Sequence, residues 1–296
     1  MYKPTAKGYF SGCGGMEIGL MQAGVNLIQS LDLDKEATDC MKLNSHYFSH
    51  TILNADIKEK LVLEQPKTDI IVGTYPCTKY SAIADIHGTR TGDDLFLHFF
   101  RHIAIEKPEM YIVENVPGMR KFKIVMEAMT KLPDYYVTIF CPVDASSWLP
   151  QRRKRLILFG SRKSFSISPP QEIKNKPTLK DILEKNPEVE IPDYVLWRIN
   201  GKYRDFPIII NPSLSNAIAP TCVAHYAKDL STRLVVDKNS RYGLRPFSIR
   251  EYARLQGFPD DFNFENKRSA YKMIGNAVPV DMGKWIGKEA MKYFNQ

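Results

Sequence analysis

Four short segments carry residue types that could do chemistry. Phe10-Ser11-Gly12-Cys13-Gly14-Gly15 sets three glycines ahead of a helical pattern. A backbone free to turn there can approach a ligand closely and aim helix N–H groups at it. Roughly twenty residues later, Asp32 stands where an acid can accept hydrogen bonds from ribose hydroxyls. Ala55-Asp56-Ile57 pairs an acid with an apolar residue, suited to an adenine amine and its ring face. A glycine loop alone is equally a turn that needs positive φ. The three features in this order point to a nucleoside cofactor.

The second segment, Gly73-Thr74-Tyr75-Pro76-Cys77, ends an apolar run and places Cys77 on a strand-to-loop corner. A free cysteine is more often a small core hydrophobe than a nucleophile. The loop at 78–94 carries Gly88, Gly92 and polar residues that could close over a substrate. The third segment ends the run Tyr111-Ile112-Val113 with Glu114. Burial against apolar neighbours would make Glu114 a usable proton donor, although a salt-bridged or capping carboxylate also fits. The fourth is Pro150-Gln151-Arg152-Arg153-Lys154-Arg155, leading into an apolar strand. On a strand, 151, 153 and 155 share a face, and two arginines there can hold carbonyl oxygens. A solvated basic edge is the plainer alternative.

These segments need a scaffold that brings their ends together. Strand patterns at 25–33, 69–73, 110–114, 136–141 and 156–160 alternate with helical patterns at 16–23, 35–44, 95–106 and 123–132. Such alternation implies βαβ units and a mostly parallel, Rossmann-like α/β sheet with helices on both faces. Ligands then sit at the carboxyl ends of the strands. Prolines break every long period between about 163 and 242, and helical patterns return at 249–255 and 280–293. The expected organisation is a domain at 1–162, a smaller loop-rich insert at 163–242, and a segment at 243–296 that completes the first domain.

At 296 residues, 44% hydrophobic and 25% charged, the chain is long enough for a substantial core, and no apolar run approaches a membrane span. The N-terminus lacks the apolar core of a signal peptide. Cys13, Cys40, Cys77, Cys141 and Cys222 are scattered with no CxxC pair, which argues against a disulfide framework or structural zinc and for a reducing, cytoplasmic setting. Lys and Arg number 41 against 33 Asp and Glu, a net +8 that favours a polyanionic partner.

Taken together, the segments resemble the DNA (cytosine-5)-methyltransferase family of bacterial and phage restriction–modification systems. The resemblance spans nearly the whole chain in the family's order. It is strengthened by Arg250-Glu251-Tyr252-Ala253-Arg254-Leu255-Gln256-Gly257-Phe258-Pro259-Asp260 and by Ile274-Gly275-Asn276-Ala277-Val278-Pro279. It implies the S-adenosylmethionine-dependent methyltransferase fold with a target-recognition domain. It further implies that Phe10, Gly12, Gly15, Asp32, Leu33, Asp56, Ile57, Pro76, Leu95, Asn276 and Val278 line the cofactor pocket. Cys77 would be the nucleophile, Glu114 would contact the cytosine N3 edge, Arg155 would hold O2 with Arg153 in support, and Ser81 would lie near the DNA backbone. Thr78, Asp32 and Ser147-Trp148 depart from the family's usual residues, so target specificity does not carry over.

The chemistry explains the residue set. Cytosine C5 is a poor nucleophile until a thiolate adds to C6. Charge pushed into the ring collects at N3 and O2, where Glu114 and Arg155 would stabilise it. The cofactor's sulfonium supplies the electrophile, so methyl transfer needs no metal and yields S-adenosylhomocysteine. The base must be flipped out of double-stranded DNA. Within the insert, Asn200, Lys202, Tyr203, Arg204, Asn216, Thr221, His225 and Lys228 are chemically able to read bases. The reading expects a monomer nucleoid-associated when on DNA, no membrane, and a cognate restriction endonuclease that acts on the same site without binding the enzyme. Transfer RNA is the alternative substrate. A catalytically dead DNA-binding paralogue is disfavoured because Cys77, Glu114, Arg155 and the glycine loop are all present.

Overall fold

The computed structural model describes residues 1–76, 95–189, 191–202, 204–205, 207–265 and 268–296. In chain order the described elements begin β1 (Thr5–Tyr9), α1 (Gly15–Gln22), β2 (Asn26–Asp32), α2 (Lys35–Leu43), β3 (Thr51–Asn54), β4 (Ile70–Gly73), α3 (Leu95–Glu106), β5 (Met110–Asn115), α4 (Lys123–Thr130), β6 (Tyr136–Asp144) and β7 (Lys154–Ser161). They continue with α5 (Leu179–Ile182), α6 (Asp193–Asn200), β8 (Ile208–Ile210), β9 (Arg233–Val236), β10 (Leu244–Arg245), α7 (Ile249–Leu255), α8 (Ala270–Asn276) and α9 (Val280–Phe294).

These elements form two compact units. The first comprises Met1–Asp144, Lys154–Pro170 and Met282–Gln296; the second comprises Ala145–Arg153 and Gln171–Asp281. The cut differs from the boundaries expected above, because 145–153 and 243–281 group with the insert.

The first unit holds a seven-stranded sheet in the order β3-β2-β1-β4-β5-β7-β6. Strands β1 to β5 pair in parallel, while β7 runs antiparallel to both β5 and β6. Every residue of β5 is buried, as a strand covered on both faces requires. On one face Tyr111, Val113, Leu156 and Leu158 pack with Phe99 and Ile103 of α3 and Met129 of α4. On the other, Phe159 meets Trp285 of α9 edge-to-face at 5.7 Å. Glycines let α9 lie against α1: a Cβ on Gly283 would come within 2.8 Å of Met16 O.

Two strands carry no clear sequence signal. In β1 the apolar pattern is interrupted by Lys7, which is fully buried. Its ammonium is ion-paired with Glu106 and donates to Pro66 O at 2.8 Å. Burial pushes the Lys7 pKa down, and Glu106 pulls it back up. A charged side chain can thus occupy a central strand because its partner comes from α3. Strand β3 is an edge strand of four residues, none of them buried.

The second unit contains a small sheet in which β9 pairs antiparallel with β10 and parallel with β8. Tyr226, Tyr252 and Tyr271 pack beside it, the first two stacked at 4.8 Å.

Candidate active site

Strand order reverses at β1, whose neighbours are β2 and β4, and this is where an open α/β sheet leaves a crevice. Register aligns Tyr9 with Leu31 and Gly73, and Gly73 with Val113. Phe10, Asp32, the 74–76 segment and Glu114 therefore follow their strands onto one edge. Strand β7 runs the other way, so its beginning lies there too: Glu114 pairs with Ile157 and Asn115 with Leu156, one residue past Arg155.

The glycine loop is built on left-handed backbone. Phe10, Gly12 and Gly14 have φ of 63°, 55° and 87°. A Cβ on Gly14 would stand 2.4 Å from the Phe48 ring, whereas one on Gly12 would meet nothing within 4 Å. Gly14 is thus required by packing, and Gly12 leaves its backbone open to an approaching group. Gly12 N donates to Asp32 Oδ2 at 2.7 Å, and Asp34 N donates to Oδ1 at 2.8 Å. Asp32 therefore ties the loop to the end of β2. A carboxylate has about four lone-pair positions, so capacity remains beyond these backbone donors for a ligand hydroxyl. Burial raises the Asp32 pKa, and the N–H groups of Asp34 and Gly12 counteract that.

Asp56 caps the turn Ile57–Glu59 by accepting from Lys58 N at 2.9 Å. Arg101 of α3 fixes the same turn, donating to Ile57 O at 2.7 Å and Lys60 O at 2.6 Å. Ile57 is buried beside the half-buried Asp56, while Leu33 is 67% exposed. Thr74 Oγ1 donates to Phe10 O at 2.7 Å, and the Phe10 and Tyr75 rings meet edge-to-face. Leu95, half-buried, opens α3, and Pro76 is exposed. An open glycine backbone, a carboxylate at the end of β2 and an acid–isoleucine pair fit the nucleoside and charged donor that the resemblance implies.

One residue here carries no family motif role in the sequence reading. Glu17 in the first turn of α1 is 2% exposed, and burial pushes its pKa up to about 7 despite the nearby Ser11 hydroxyl. A carboxyl raised in the folded state contributes stability below its unfolded pKa and loses it as pH rises through the folded value. The loss amounts to about 3 kcal/mol between acid and neutral pH. Glu17→Gln removes the titration. We expect its thermal midpoint to gain on wild type steadily from pH 4.5 to 7 and level off above; a pH-independent difference would contradict this.

At the other side of the edge, Arg155 Nε donates to Glu114 Oε1 at 2.8 Å, with both side chains mostly buried. Arg155 Nη1 donates to Lys154 O at 2.8 Å. Neither bond uses Glu114 Oε2 or Arg155 Nη2. The salt-bridged reading of Glu114 is thus met, with Arg155 itself as the partner. Asn115, also buried, donates to Tyr75 O at 3.1 Å and accepts from Val116 N at 2.9 Å, holding the 74–76 segment beside β5. Cys77, Thr78 and Ser81 lie outside the described residues.

Arg153 does not share a strand face with Arg155, since β7 begins at Lys154. Its guanidinium donates to Cys222 O at 2.7 Å, Ala277 O at 2.8 Å and Gly275 O at 3.1 Å, all within the second unit. Gln151 donates to Leu255 O and Gln256 Oε1 and accepts from Cys222 N. Gln256 in turn donates to Ile274 O and Ala277 O. Three long-spaced motifs are thus one buried polar knot, which orders the backbone around the exposed Asn276 and buried Val278. Arg245 and Glu251 pair in bidentate fashion at 2.7 and 2.8 Å. Of the candidate base readers, Asn200, Lys202, Arg204, Asn216, His225 and Lys228 are exposed. Thr221 Oγ1 donates to Arg152 O, and Tyr203 lies outside the described residues.

The chain is 29% identical to "Type II methyltransferase M.NgoPII" of Neisseria gonorrhoeae over 96% of its own length and 94% of the relative's. It is 28% identical to "Type II methyltransferase M.FnuDI" of Fusobacterium nucleatum over 94% and 92%. In fold it is similar to the Entamoeba histolytica methyltransferase EhMeth, with a TM-score of 0.81 and 17% identity over all of both chains. The S. pombe Dnmt2 methyltransferase superposes with a TM-score of 0.79 at 17% identity, covering 99% of this chain and 100% of that one. The family model "C-5 cytosine-specific DNA methylase" matches residues 8–292, and the chain belongs to that family.

Proposed function

We propose that the protein methylates C5 of a cytosine everted from a specific duplex DNA sequence, as the modification enzyme of a type II system. The observation that carries this reading is the Glu114–Arg155 pair at the carboxyl edge of the sheet. It offers one carboxyl group and one fixed cation to N3 and O2 of cytosine, the two positions that share C2 and collect the developing charge.

S-adenosylmethionine, when bound, supplies the electrophilic methyl group that C5 takes. Phe10, Gly12, Gly15, Asp32, Leu33, Asp56, Ile57, Pro76 and Leu95 hold it, Asp32 through its remaining lone pairs and Asp56 toward the adenine amine. Assignment of Asn276 and Val278 to the same pocket rests on their motif. The Cys77 thiolate adds to C6, forming a C–S bond and moving an electron pair toward C5. Glu114 takes up a proton from solvent on Oε2 and donates it to N3, and Arg155 Nη2 donates to O2. After methylation the C5 proton leaves to a base, the C5–C6 double bond re-forms and the thiolate is expelled. Arg153 acts at a distance, as a positioning residue.

Tritium transfer from labelled S-adenosylmethionine tests the substrate. Duplex DNA is expected to accept label and transfer RNA to accept none. Bisulfite sequencing of DNA from expressing cells is expected to show protection at one short recurring sequence. Label on transfer RNA alone would replace the DNA reading.

A further inference from the structure

The mechanism above makes no use of Glu17, yet the acid lies directly beneath the loop. Its neighbour on β1 is Gly8. A Cβ there would stand 2.4 Å from Glu17 Oε1 and 2.8 Å from Ser11 Oγ. The Glu17 carboxyl group therefore occupies the volume a β1 side chain would fill. Glu17 Oε2 and Ser11 Oγ are both buried with no partner at hydrogen-bonding geometry, although the Ser11 hydroxyl lies close enough to Glu17 to draw its pKa down. Unfilled hydrogen-bonding capacity is uncommon in a folded interior, and here two such atoms lie together under an open backbone. A glutamine would fit the same space without the ionisation penalty. A buried acid at this position is therefore explained by what the loop does, since it weakens the fold.

We propose that Glu17 is a positioning residue for the methyl donor: seated in the space Gly8 leaves, it supports Ser11 and the 10–15 backbone from below and contributes negative charge toward a cationic ligand. The proposal rests on the reading that this loop holds S-adenosylmethionine. The titratable groups facing Glu17 are Cys13 on the loop and Asp32 at the end of β2. Across α1, α9 presents Gly283 and Gly287.

Calorimetric binding to the purified protein tests it, with S-adenosylhomocysteine and S-adenosylmethionine as probes. Glu17→Ala and Gly8→Asp are each expected to weaken S-adenosylhomocysteine binding about tenfold, the first by emptying the volume and the second by overfilling it. The double variant Gly8→Asp/Glu17→Ala, which returns a carboxylate to the same space from β1, is expected to recover to within about threefold of wild type. In wild type, affinity for S-adenosylmethionine rises from pH 6 to pH 8 as Glu17 ionises, and Glu17→Gln flattens that rise. Wild-type binding by Glu17→Ala, a double variant no better than the worse single, or an unchanged pH profile in Glu17→Gln would each overturn the proposal. If Glu17→Ala does not fold, the Glu17→Gln profile decides. Failure of wild type to bind either probe would instead overturn the reading of the loop itself.

Discussion

Replacing Cys77 with serine is expected to lower methyl transfer to duplex DNA by at least about 10³-fold, with S-adenosylhomocysteine affinity unchanged within about twofold. The magnitude follows from the chemistry. A thiol near its usual pKa of about 8.5 supplies a few per cent thiolate at neutral pH, whereas a serine hydroxyl supplies essentially no alkoxide. Without a C6 adduct, C5 gains no carbanion character. Initial rates of tritium incorporation measure the effect, and methylation within tenfold of wild type would remove Cys77 from the reaction.

The second large effect belongs to the ion pair. Glu114→Gln and Arg155→Ala are each expected to reduce the rate about 10²–10³-fold, the loss typical of removing one donor from a site of developing charge. Glutamine keeps the size of Glu114 but cannot share a proton with N3. Removing Arg155 takes away the O2 donor and leaves Glu114, mostly buried, without its 2.8 Å partner. Because the two groups act on one ring and on each other, the double variant is expected to be little worse than the worse single. Single-turnover rates with saturating DNA measure this, and full additivity would show that the pair does not act as a unit.

Much of the frame is legible in the residues. The apolar runs at β2, β4, β5, β6 and β7, and the helical patterns between them, describe a mostly parallel sheet because each element buries a pattern of its own period. The hidden elements are those whose burial depends on a distant partner. Lys7 looks polar in isolation and becomes interior through Glu106, 99 residues away. Asp32 is visible as an acid at the end of a strand, but not as the clamp that receives Gly12 N.

The two arginines of the fourth segment show the same limit. Spacing alone makes Arg153 and Arg155 equivalent. Tertiary contacts separate them, since Arg153 donates to the backbone carbonyls of 222, 275 and 277 while Arg155 donates to Glu114. Segment 243–281 groups with the insert through other contacts: the Tyr252 hydroxyl accepts from Val223 N, the Tyr226 hydroxyl accepts from Phe247 N, and the Tyr226 and Tyr271 rings meet edge-to-face. Glu17 could have been flagged only as an acid in the first turn of α1, an ordinary favourable placement. Its significance comes from the missing side chain at Gly8.

The covalent step is tested most directly with duplex DNA carrying 5-fluorocytosine at the target position, incubated with the enzyme and S-adenosylmethionine. Fluorine at C5 leaves no proton to remove, so an adduct that has been methylated has no route to expel the thiolate. A complex stable to denaturation, whose digest yields the nucleotide joined to the peptide containing Cys77, is the expected result. Attachment at Cys141 or Cys222, or no attachment while ordinary duplex DNA is methylated at C5, would contradict it.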